Sequence, residues 1–242
     1  MPRVLIADKL SPAAIDIFKQ RGVDADVKTG LSKDELLKII GDYDGLAVRS
    51  ATKADKDVIA AAGALKVIGR AGIGVDNVDI PAATAAGIVV MNTPFGNSIT
   101  TAEHAIAMMF ALARQLPAAD VSTQAGKWEK NRFMGVELYA KTLGLIGAGN
   151  IGSIVADRAL GLKMKVVAYD PFLSAERAIE LGVEKVELEE LLARAELITL
   201  HTPLTDATRN IISREALAKT ARGVRIINCA RGGLVDELAL AE

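Results

Sequence analysis

The sequence predicts an α/β protein with two doubly wound parallel sheets, and three observations favour this class. The first ninety residues repeat a unit of about twenty residues, in which a short apolar run is followed by a helical segment and a glycine. A second series of alternating strand and helix patterns begins at Thr142. Half of the 242 residues are hydrophobic but only 4% are aromatic, a composition that suits buried parallel strands.

The first series predicts a domain over residues 1–96. Ser11 is predicted to cap the first helix, with Pro12 at its first position, and Ser32 and Glu35 have the spacing of a capping box. Strands are predicted at 3–8, 23–30, 44–50, 65–72 and 88–92, and helices at 11–22, 32–41, 54–62 and 78–86. Five such units in succession indicate a parallel sheet with helices on its faces.

A second domain is predicted over residues 97–242. It opens with a long helix at 98–114, which is apolar over most of its surface and is expected to pack between two bodies or at a subunit contact. Pro117 and the polar stretch 124–135 interrupt the pattern. Strands are then predicted at 142–147, 164–170, 196–202 and 223–228, and helices at 150–160, 187–195 and 213–220.

Charge and cysteine content exclude several classes of function. The formal net charge of −1 gives no field that would attract nucleic acid or an anionic membrane, so an anionic ligand needs a local basic cluster. The N-terminus resembles no signal peptide, and no apolar run of membrane-spanning length occurs. Cys229 is the only cysteine, which excludes an intrachain disulfide and fits a reducing, cytoplasmic location. No metal site is predicted.

The stretch LGLIGAGNIG predicts a dinucleotide-binding turn. Gly147, Gly149 and Gly152 form the pattern G-x-G-x-x-G between an apolar strand and a helix, and Asp170 ends the next strand. Gly147 would make the tight turn, Gly149 would admit a pyrophosphate, and Gly152 would let the helix pack on the strand. Asp170 would hold a ribose diol and repel a 2′-phosphate, which favours NAD over NADP. The alternative is a plain strand–helix turn in which Asp170 caps a helix before Pro171.

Five longer motifs occur in order along the chain, and with them it resembles the NAD-dependent D-2-hydroxyacid dehydrogenases. They are GRAGIGVDNVD (69–79), NTPFGNSITTAEHAIAMMFALAR (92–114), GAGNIG (147–152), LHTPLT (200–205) and NCARGG (228–233). The resemblance implies two Rossmann-like domains, a flavodoxin-like substrate domain and an NAD-binding domain, and a homodimer or homotetramer formed through the latter. The stretches VRSATK and GKWEKNRFMG point within the family to members that oxidise phosphoglycerate on the route to serine.

The resemblance also implies roles for individual residues. Arg231 matches the catalytic arginine that orients the substrate carboxylate and carbonyl. The cofactor would be bound by Gly147, Gly149, Asn150, Ile151, Gly152, Asp170, Thr202, Cys229, Ala230 and Arg231. The substrate carboxylate would meet the backbone of Ala71, Gly72, Ile73 and Gly74, and the phosphate would meet Arg49, Lys130 and Arg132.

Several reactive side chains lie near these motifs, and for each of them a structural role is weighed against a catalytic one. His104 lies in the stretch AEHAIAMM and is predicted to be a packed or interface histidine and not a proton carrier. His201 ends a strand beside the cofactor turn, where the resemblance makes it part of that turn and not the catalytic base. Cys229 is predicted to line the cleft and not to act as a nucleophile. Arg231 has the alternative of an exposed residue in a flexible Gly-Gly loop.

The residues after Arg231 contain no proton acceptor of the kind that the family uses, since its glutamate and histidine pair has no counterpart in the 242 residues. A helix begins at Asp236, and only residues 236–242 remain to form it. We therefore expect a truncated or partly represented dehydrogenase that binds NAD without turnover. The alternative is a non-catalytic, NAD-sensing interaction protein related to the same family.

Overall fold

The computed structural model describes all 242 residues, Met1–Glu242. They form two compact units, Met1–Asn97 and Ser98–Glu242, and each unit is built on a parallel five-stranded sheet. The predicted α/β class with two doubly wound parallel sheets is therefore confirmed. The sequence pattern places the division near residue 96, and the structure places it between Asn97 and Ser98. No helix combines the length and the hydrophobicity that crossing a bilayer requires.

The first unit alternates strands and helices along the chain. Its strands are β1 (Arg3–Ile6), β2 (Asp24–Val27), β3 (Gly45–Val48), β4 (Val67–Arg70) and β5 (Val89–Asn92). Its α-helices are α1 (Ala13–Gln20), α2 (Lys33–Ile39), α3 (Lys56–Ala61) and α4 (Ile80–Ala85). The sheet order is β2-β1-β3-β4-β5, so the direction of winding reverses between β1 and β3. Open parallel sheets bind ligands outside the carboxyl ends of their strands at such a switch point.

Helix caps in the first unit confirm one prediction and correct another. Ser32 and Glu35 form the predicted capping box at the start of α2. The predicted cap at Ser11 is wrong, because Pro12 occupies the N-cap position with helical backbone angles. Ser11 lies one residue earlier and contributes only its carbonyl oxygen, which accepts a hydrogen bond from the amide of Ala14 at 2.9 Å.

The second unit contains the larger set of elements. Its strands are β6 (Thr142–Ile146), β7 (Lys165–Tyr169), β8 (Glu184–Lys185), β9 (Leu197–Leu200) and β10 (Arg225–Asn228). Its helices are α5 (Ser98–Arg114), α6 (Leu116–Gln124), α7 (Asn150–Gly161), α8 (Ala175–Leu181), α9 (Leu188–Arg194), α10 (Arg214–Ala218) and α11 (Glu237–Ala241). The sheet order is β10-β9-β6-β7-β8, which puts its switch point between β6 and β9.

Helix α5 belongs to the core of the second unit, where it packs against α7. The buried face of α5 carries small side chains, Ala102, Ala105 and Ala113, together with Met109. Small residues let two helices approach closely, and Ala156 on α7 lies in the same cluster. This packing leaves the other faces of α5, including the one that carries His104, outside the core.

The sequence does not predict three elements of the second unit. Helix α6 follows α5 after Gln115, whose left-handed backbone (φ 54°) separates the two helices. Pro117 lies in the first turn of α6, where the missing N–H of proline has no helical partner to lose. The helical pattern is therefore interrupted next to Pro117, at Gln115, but the further helix that follows is not predicted. Helix α8 and the two-residue strand β8 are too short to produce a clear periodic pattern.

Candidate functional site

The glycine-rich turn of the second unit joins β6 to α7, and two of its three glycines are closely packed against the protein. Gly147 has a φ of 92°, and a Cβ there would lie 2.6 Å from the carbonyl oxygen of His201. A Cβ on Gly152 would overlap the carbonyl oxygen of Gly147. A Cβ on Gly149 would meet nothing within 4 Å. The first and third glycines are thus required by packing, while the second faces open space that a ligand can enter.

The start of α7 offers unpaired amide donors beside that open space. Gly149 is the N-cap residue of α7 and no side chain caps the helix. By contrast, Ser174 and Ser213 cap α8 and α10 with their hydroxyl groups. The first amides of a helix have no intrahelical acceptor, so those of Asn150 and Ile151 are available to an anion. The turn and the helix start therefore fit the pyrophosphate of a dinucleotide.

Asp170 lies directly after β7, on the strand next to β6, and its carboxylate is fixed by two backbone amides. Oδ2 accepts a hydrogen bond from the amide of Ala148 at 2.8 Å, and Oδ1 accepts one from the amide of Phe172 at 2.8 Å. The side chain is half-buried. The alternative that Asp170 caps a helix is wrong, because the next helix begins at Ala175 and Ser174 caps it. The position suits a carboxylate that accepts hydrogen bonds from a ribose diol.

His201 and Thr202 follow β9, across the switch point from the glycine turn. The ring Nε2 of His201 lies 2.9 Å from Oγ1 of Thr199, and its Nδ1 is buried without a hydrogen-bond partner. Burial lowers the pKa of His201 to about 4, so the imidazole is neutral at neutral pH. A group with this pKa is a poor general base for a reaction near pH 7. Thr202 is half-buried in the same turn.

Arg231 lies in the loop after β10, and the side chain of Asn228 braces that loop. Nδ2 of Asn228 donates to the carbonyl oxygen of Arg231 at 2.8 Å, and its Oδ1 accepts from the amide of Ala230 at 3.1 Å. The guanidinium Nη1 of Arg231 donates to the carbonyl oxygen of Ala230 at 2.8 Å. Arg231 is half-buried, so it is held more firmly than an exposed residue of a flexible loop would be.

A cleft of about 580 Å³ opens beside this loop within the second unit. Its wall contains Thr100, Thr101, His104, Asn228, Cys229, Ala230, Arg231, Gly232 and Glu237. The prediction of a packed His104 is wrong, because Ala102 and Ala105 form the buried face of α5 and His104 lies off that face. A role of His104 at a subunit interface stays a prediction. Burial raises the pKa of the Cys229 thiol, which suits a cleft-wall residue better than a nucleophile.

Two arginines converge on a cleft of about 380 Å³ in the first unit. Arg49 follows β3, Arg70 is the last residue of β4, and the cleft also contains Ser50 and Thr93. The sequence reasoning misses Arg70, although an arginine at the carboxyl end of a parallel strand is a usable signal. A Cβ on Gly72 would overlap Nη1 of Arg70, so the guanidinium lies across that glycine. Nε of Arg70 is buried without a partner.

The AGIG stretch after β4 is partly committed to backbone hydrogen bonds. The amide of Ala71 donates to the carbonyl oxygen of Val48 at 2.8 Å, and that of Gly72 to Arg70 at 2.9 Å. The amides of Ile73 and Gly74 make no such bond. Of the four amides expected to meet a carboxylate, the last two are therefore the ones that remain available in this structure.

Lys130 and Arg132 lie in the second unit, on the exposed turn after α6. Nη1 of Arg132 forms an ion pair with Oε2 of Glu129 at 3.2 Å, and its guanidinium lies 5.2 Å from the ring centroid of Phe133. Lys130 and Arg132 lie two residues apart on this turn. Arg49, the third residue predicted for the phosphate, belongs to the first unit.

The glycine turn, the uncapped start of α7 and the carboxylate after β7 define a dinucleotide-binding domain of the Rossmann class. A family model described as the NAD-binding domain of D-isomer-specific 2-hydroxyacid dehydrogenases matches residues 106–242. The chain belongs to this family, as the motifs predict, and NAD is the cofactor of the matched domain.

Sequence and structure comparisons agree on this family. The chain is 52% identical over 240 residues to a D-3-phosphoglycerate dehydrogenase of Archaeoglobus fulgidus, and the match covers 99% of this chain and 46% of the relative. The crystal structure of the TT0316 protein of Thermus thermophilus is similar with 37% identity and a TM-score of 0.90, covering 98% of this chain and 76% of that one. An NAD⁺-bound 3-phosphoglycerate dehydrogenase of Entamoeba histolytica has 34% identity and a TM-score of 0.82, covering 99% and 75%. The chain spans about half the length of the curated relatives that it matches.

Proposed function

We propose that this chain serves the NAD-dependent oxidation of D-3-phosphoglycerate to 3-phosphohydroxypyruvate, a reaction of serine biosynthesis. The observation that carries the proposal is the pair of arginines, Arg49 and Arg70, at one cleft of the first unit. A phosphate ester carries close to two negative charges at neutral pH, and guanidinium groups bind its oxygens with charge-assisted hydrogen bonds. Relatives with about 50% identity that are named for this activity support the assignment.

The second unit supplies the cofactor site in this proposal. When bound, NAD provides the nicotinamide ring that accepts a hydride from C2 of the substrate. The amides of Asn150 and Ile151 bind the pyrophosphate, and Gly149 leaves the space for it. Asp170 accepts hydrogen bonds from the adenosine ribose. Thr202, Cys229 and Ala230 line the cofactor cleft.

Arg231 orients the substrate carboxylate and carbonyl in this proposal. Its planar guanidinium binds two carboxylate oxygens at once, and Asn228 holds the loop that carries it. Arginine stays protonated at neutral pH, so Arg231 fixes the substrate and takes no proton from it. The proton of the substrate hydroxyl would go to a separate general base, the role that the family gives to its glutamate and histidine pair. The amides of Ile73 and Gly74 in the first unit are further donors for the carboxylate.

Substrate phosphate is assigned to Arg49 and Arg70, with Lys130 and Arg132 as further cationic groups. The test is the Michaelis constant for D-3-phosphoglycerate in the enzyme as its gene encodes it, followed by NADH formation. Arg49→Ala and Arg70→Ala should each raise KM about tenfold or more, because each charge-assisted contact is worth about 1.5–3 kcal/mol. Arg21→Ala, an exposed arginine of the same unit outside the cleft, is the matched control and should leave KM unchanged. Wild-type values of KM in both cleft variants would remove the phosphate assignment.

We also propose that the second unit forms the contact between two copies of the chain, in a homodimer or homotetramer. Large apolar side chains are exposed along α5, α6 and the segment that follows, namely Leu112, Leu116, Val121, Trp128 and Met134. Clustered apolar exposure of this kind marks protein–protein contacts. Light scattering tests it: Val121→Glu should reduce the molar mass in solution, while Ile179→Glu on α8, which is 80% exposed against 69% for Val121, should not.

The single thiol suggests where the protein works. Cys229 is half-buried and has no partner cysteine, and unpaired cysteines are usual in reducing compartments. We infer a cytoplasmic location, which fractionation of cells that express a tagged version would test.

A further inference from the structure

The loop Arg49–Thr52, which carries Arg49 into the cleft of the first unit, is held by a buried carboxylate. Asp8 follows β1 and is only 6% exposed. Its Oδ2 accepts hydrogen bonds from the amides of Arg49 at 2.6 Å and Thr52 at 3.2 Å, and its Oδ1 accepts one from Oγ1 of Thr52 at 2.8 Å. Because β1 and β3 are neighbouring parallel strands, their carboxyl ends lie side by side, and Asp8 after β1 can reach the loop after β3.

A second side chain holds the same loop through its carbonyl groups. Nδ2 of Asn77 donates to the carbonyl oxygens of Arg49 at 2.7 Å and Thr52 at 2.6 Å. The backbone carbonyl of Asn77 in turn accepts from the amide of Ala54 at 2.8 Å. Asp8 therefore accepts hydrogen bonds from the backbone amides of Arg49 and Thr52, while Asn77 donates to the carbonyl oxygens of the same two residues.

The guanidinium of Arg49 has little support of its own. Its side chain is exposed, and its one direct contact is a long hydrogen bond of 3.5 Å from Nη1 to the carbonyl oxygen of Lys9. The direction in which Arg49 projects is thus set by its backbone, and Asp8 and Asn77 fix that backbone at both ends of the loop.

We propose that Asp8 and Asn77 are positioning residues that hold the Arg49–Thr52 loop so that Arg49 meets the phosphate of the substrate. This inference rests on the proposed function, in which Arg49 binds that phosphate. A conformation fixed before binding lowers the entropic cost of ordering the arginine when the ligand arrives. The buried charge of Asp8 also acts in the opposite sense, because a carboxylate near an anion site repels the anion. The two effects predict opposite changes in affinity when that charge is removed.

The test is the dissociation constant of D-3-phosphoglycerate, measured by calorimetry with NADH bound so that no turnover occurs. Arg49→Ala should weaken binding about tenfold or more. Asp8→Asn and Asn77→Ala should each weaken it about threefold or more, and neither should weaken it further when Arg49→Ala is already present. Binding of D-glycerate, the same 2-hydroxy acid without the phosphate, should not change. Asp44→Asn is the matched control, since Asp44 accepts from the Arg3 amide at the opposite end of the sheet.

Each of the following outcomes would contradict the positioning role of Asp8 and Asn77 or the phosphate site itself. Equal losses with and without Arg49→Ala, or equal losses for D-glycerate, would make Asp8 and Asn77 ordinary structural residues. Unchanged or tighter binding in Asp8→Asn would show that its charge opposes the phosphate at least as much as the loop contacts help, and would overturn the positioning role of Asp8. If Asp8→Asn does not fold, Thr52→Val removes the hydroxyl bond to Asp8, together with a longer one of 3.4 Å to the carbonyl oxygen of Ala7, and the same comparison decides. An Arg49→Ala variant that binds D-3-phosphoglycerate normally would instead refute the phosphate site itself.

Discussion

Asp170 combines two tasks in the proposed function, since its side chain shapes the glycine turn and is assigned to the ribose of the cofactor. Each of its oxygens accepts one backbone amide, from Ala148 or Phe172. A carboxylate oxygen has more than one acceptor site, so both oxygens remain able to accept from ribose hydroxyls. If NADP bound in the same way, its 2′-phosphate would place a second negative charge beside the Asp170 carboxylate.

Wild-type protein should therefore bind NAD more than about tenfold more tightly than NADP, because like charges a few ångströms apart repel strongly near a protein surface. Asp170→Ala should lose affinity for NAD and reduce this preference. Titration calorimetry with both cofactors measures the effect, and Asp157→Ala, an exposed acid on α7, is the control. Equal wild-type affinities for NAD and NADP would contradict the assignment of Asp170.

His201 should make the stability of the protein depend on acid pH. Burial depresses its folded-state pKa to about 4 from the ordinary value of 6.5. As the pH falls below the ordinary value, the unfolded chain takes up a proton that the folded chain refuses, so stability present above about pH 6.5 is lost progressively towards pH 4. The loss is on the order of 3 kcal/mol.

Denaturant unfolding at neutral and acid pH measures this loss. His201→Gln should reduce the difference in unfolding free energy between the two conditions, because it removes the buried titrating group. His104→Gln, at an exposed histidine of the same unit, should retain the wild-type difference. If both variants lose stability in acid as the wild type does, His201 is not the group responsible.

Helix α7 contains two glycines whose surroundings predict opposite effects of the same substitution. A Cβ on Gly152 would overlap the carbonyl oxygen of Gly147, so Gly152→Ala should separate the helix from the turn, lower the melting temperature and abolish NAD binding. Gly161, at the end of the helix, has nothing within 4 Å of its Cβ position. Gly161→Ala should be stabilising by about 0.5–1 kcal/mol. Thermal unfolding of both variants gives the comparison, and a stable Gly152→Ala that binds NAD would refute the packing argument.

Elements with strong local signals are the ones that the sequence predicts well. Helix α5 runs from Ser98 to Arg114 as predicted, because a long apolar segment admits few other structures. Helix α6 is missed because proline in a first turn and proline as a helix breaker look alike in sequence. The sites divide in the same way. The glycine turn follows from its spacing between a predicted strand and helix, whereas the position of Arg70 at a strand end does not by itself show that its side chain meets Arg49 at one cleft.

The whole molecule consists of two units, and in the proposed function the NAD site lies in the second unit while the phosphate arginines Arg49 and Arg70 lie in the first. A ligand that binds only the folded state stabilises it in proportion to the logarithm of its concentration, by about 2.7 kcal/mol at a hundred times its dissociation constant. NAD and D-3-phosphoglycerate should therefore each raise the melting temperature of the chain.

Scanning calorimetry of the chain with each ligand tests this division. Gly149→Asp places a negative side chain in the open space of the glycine turn, so it should abolish the shift caused by NAD and leave the shift caused by D-3-phosphoglycerate. A variant that loses both shifts, or neither, would show that the glycine turn does not bind NAD separately from the substrate.

The missing side-chain cap on α7 has a consequence for the exchange of its amide protons with solvent. At the starts of α8 and α10 a serine hydroxyl accepts from one of the free donors, but at α7 no side chain does so and the donors are left to water or to a bound anion. The first turn of α7 is in this sense completed by its ligand. Asn150 and Ile151 should therefore exchange deuterium quickly in the free protein and slowly with NAD, while the corresponding amides of α8 and α10 keep the same exchange rate in both states.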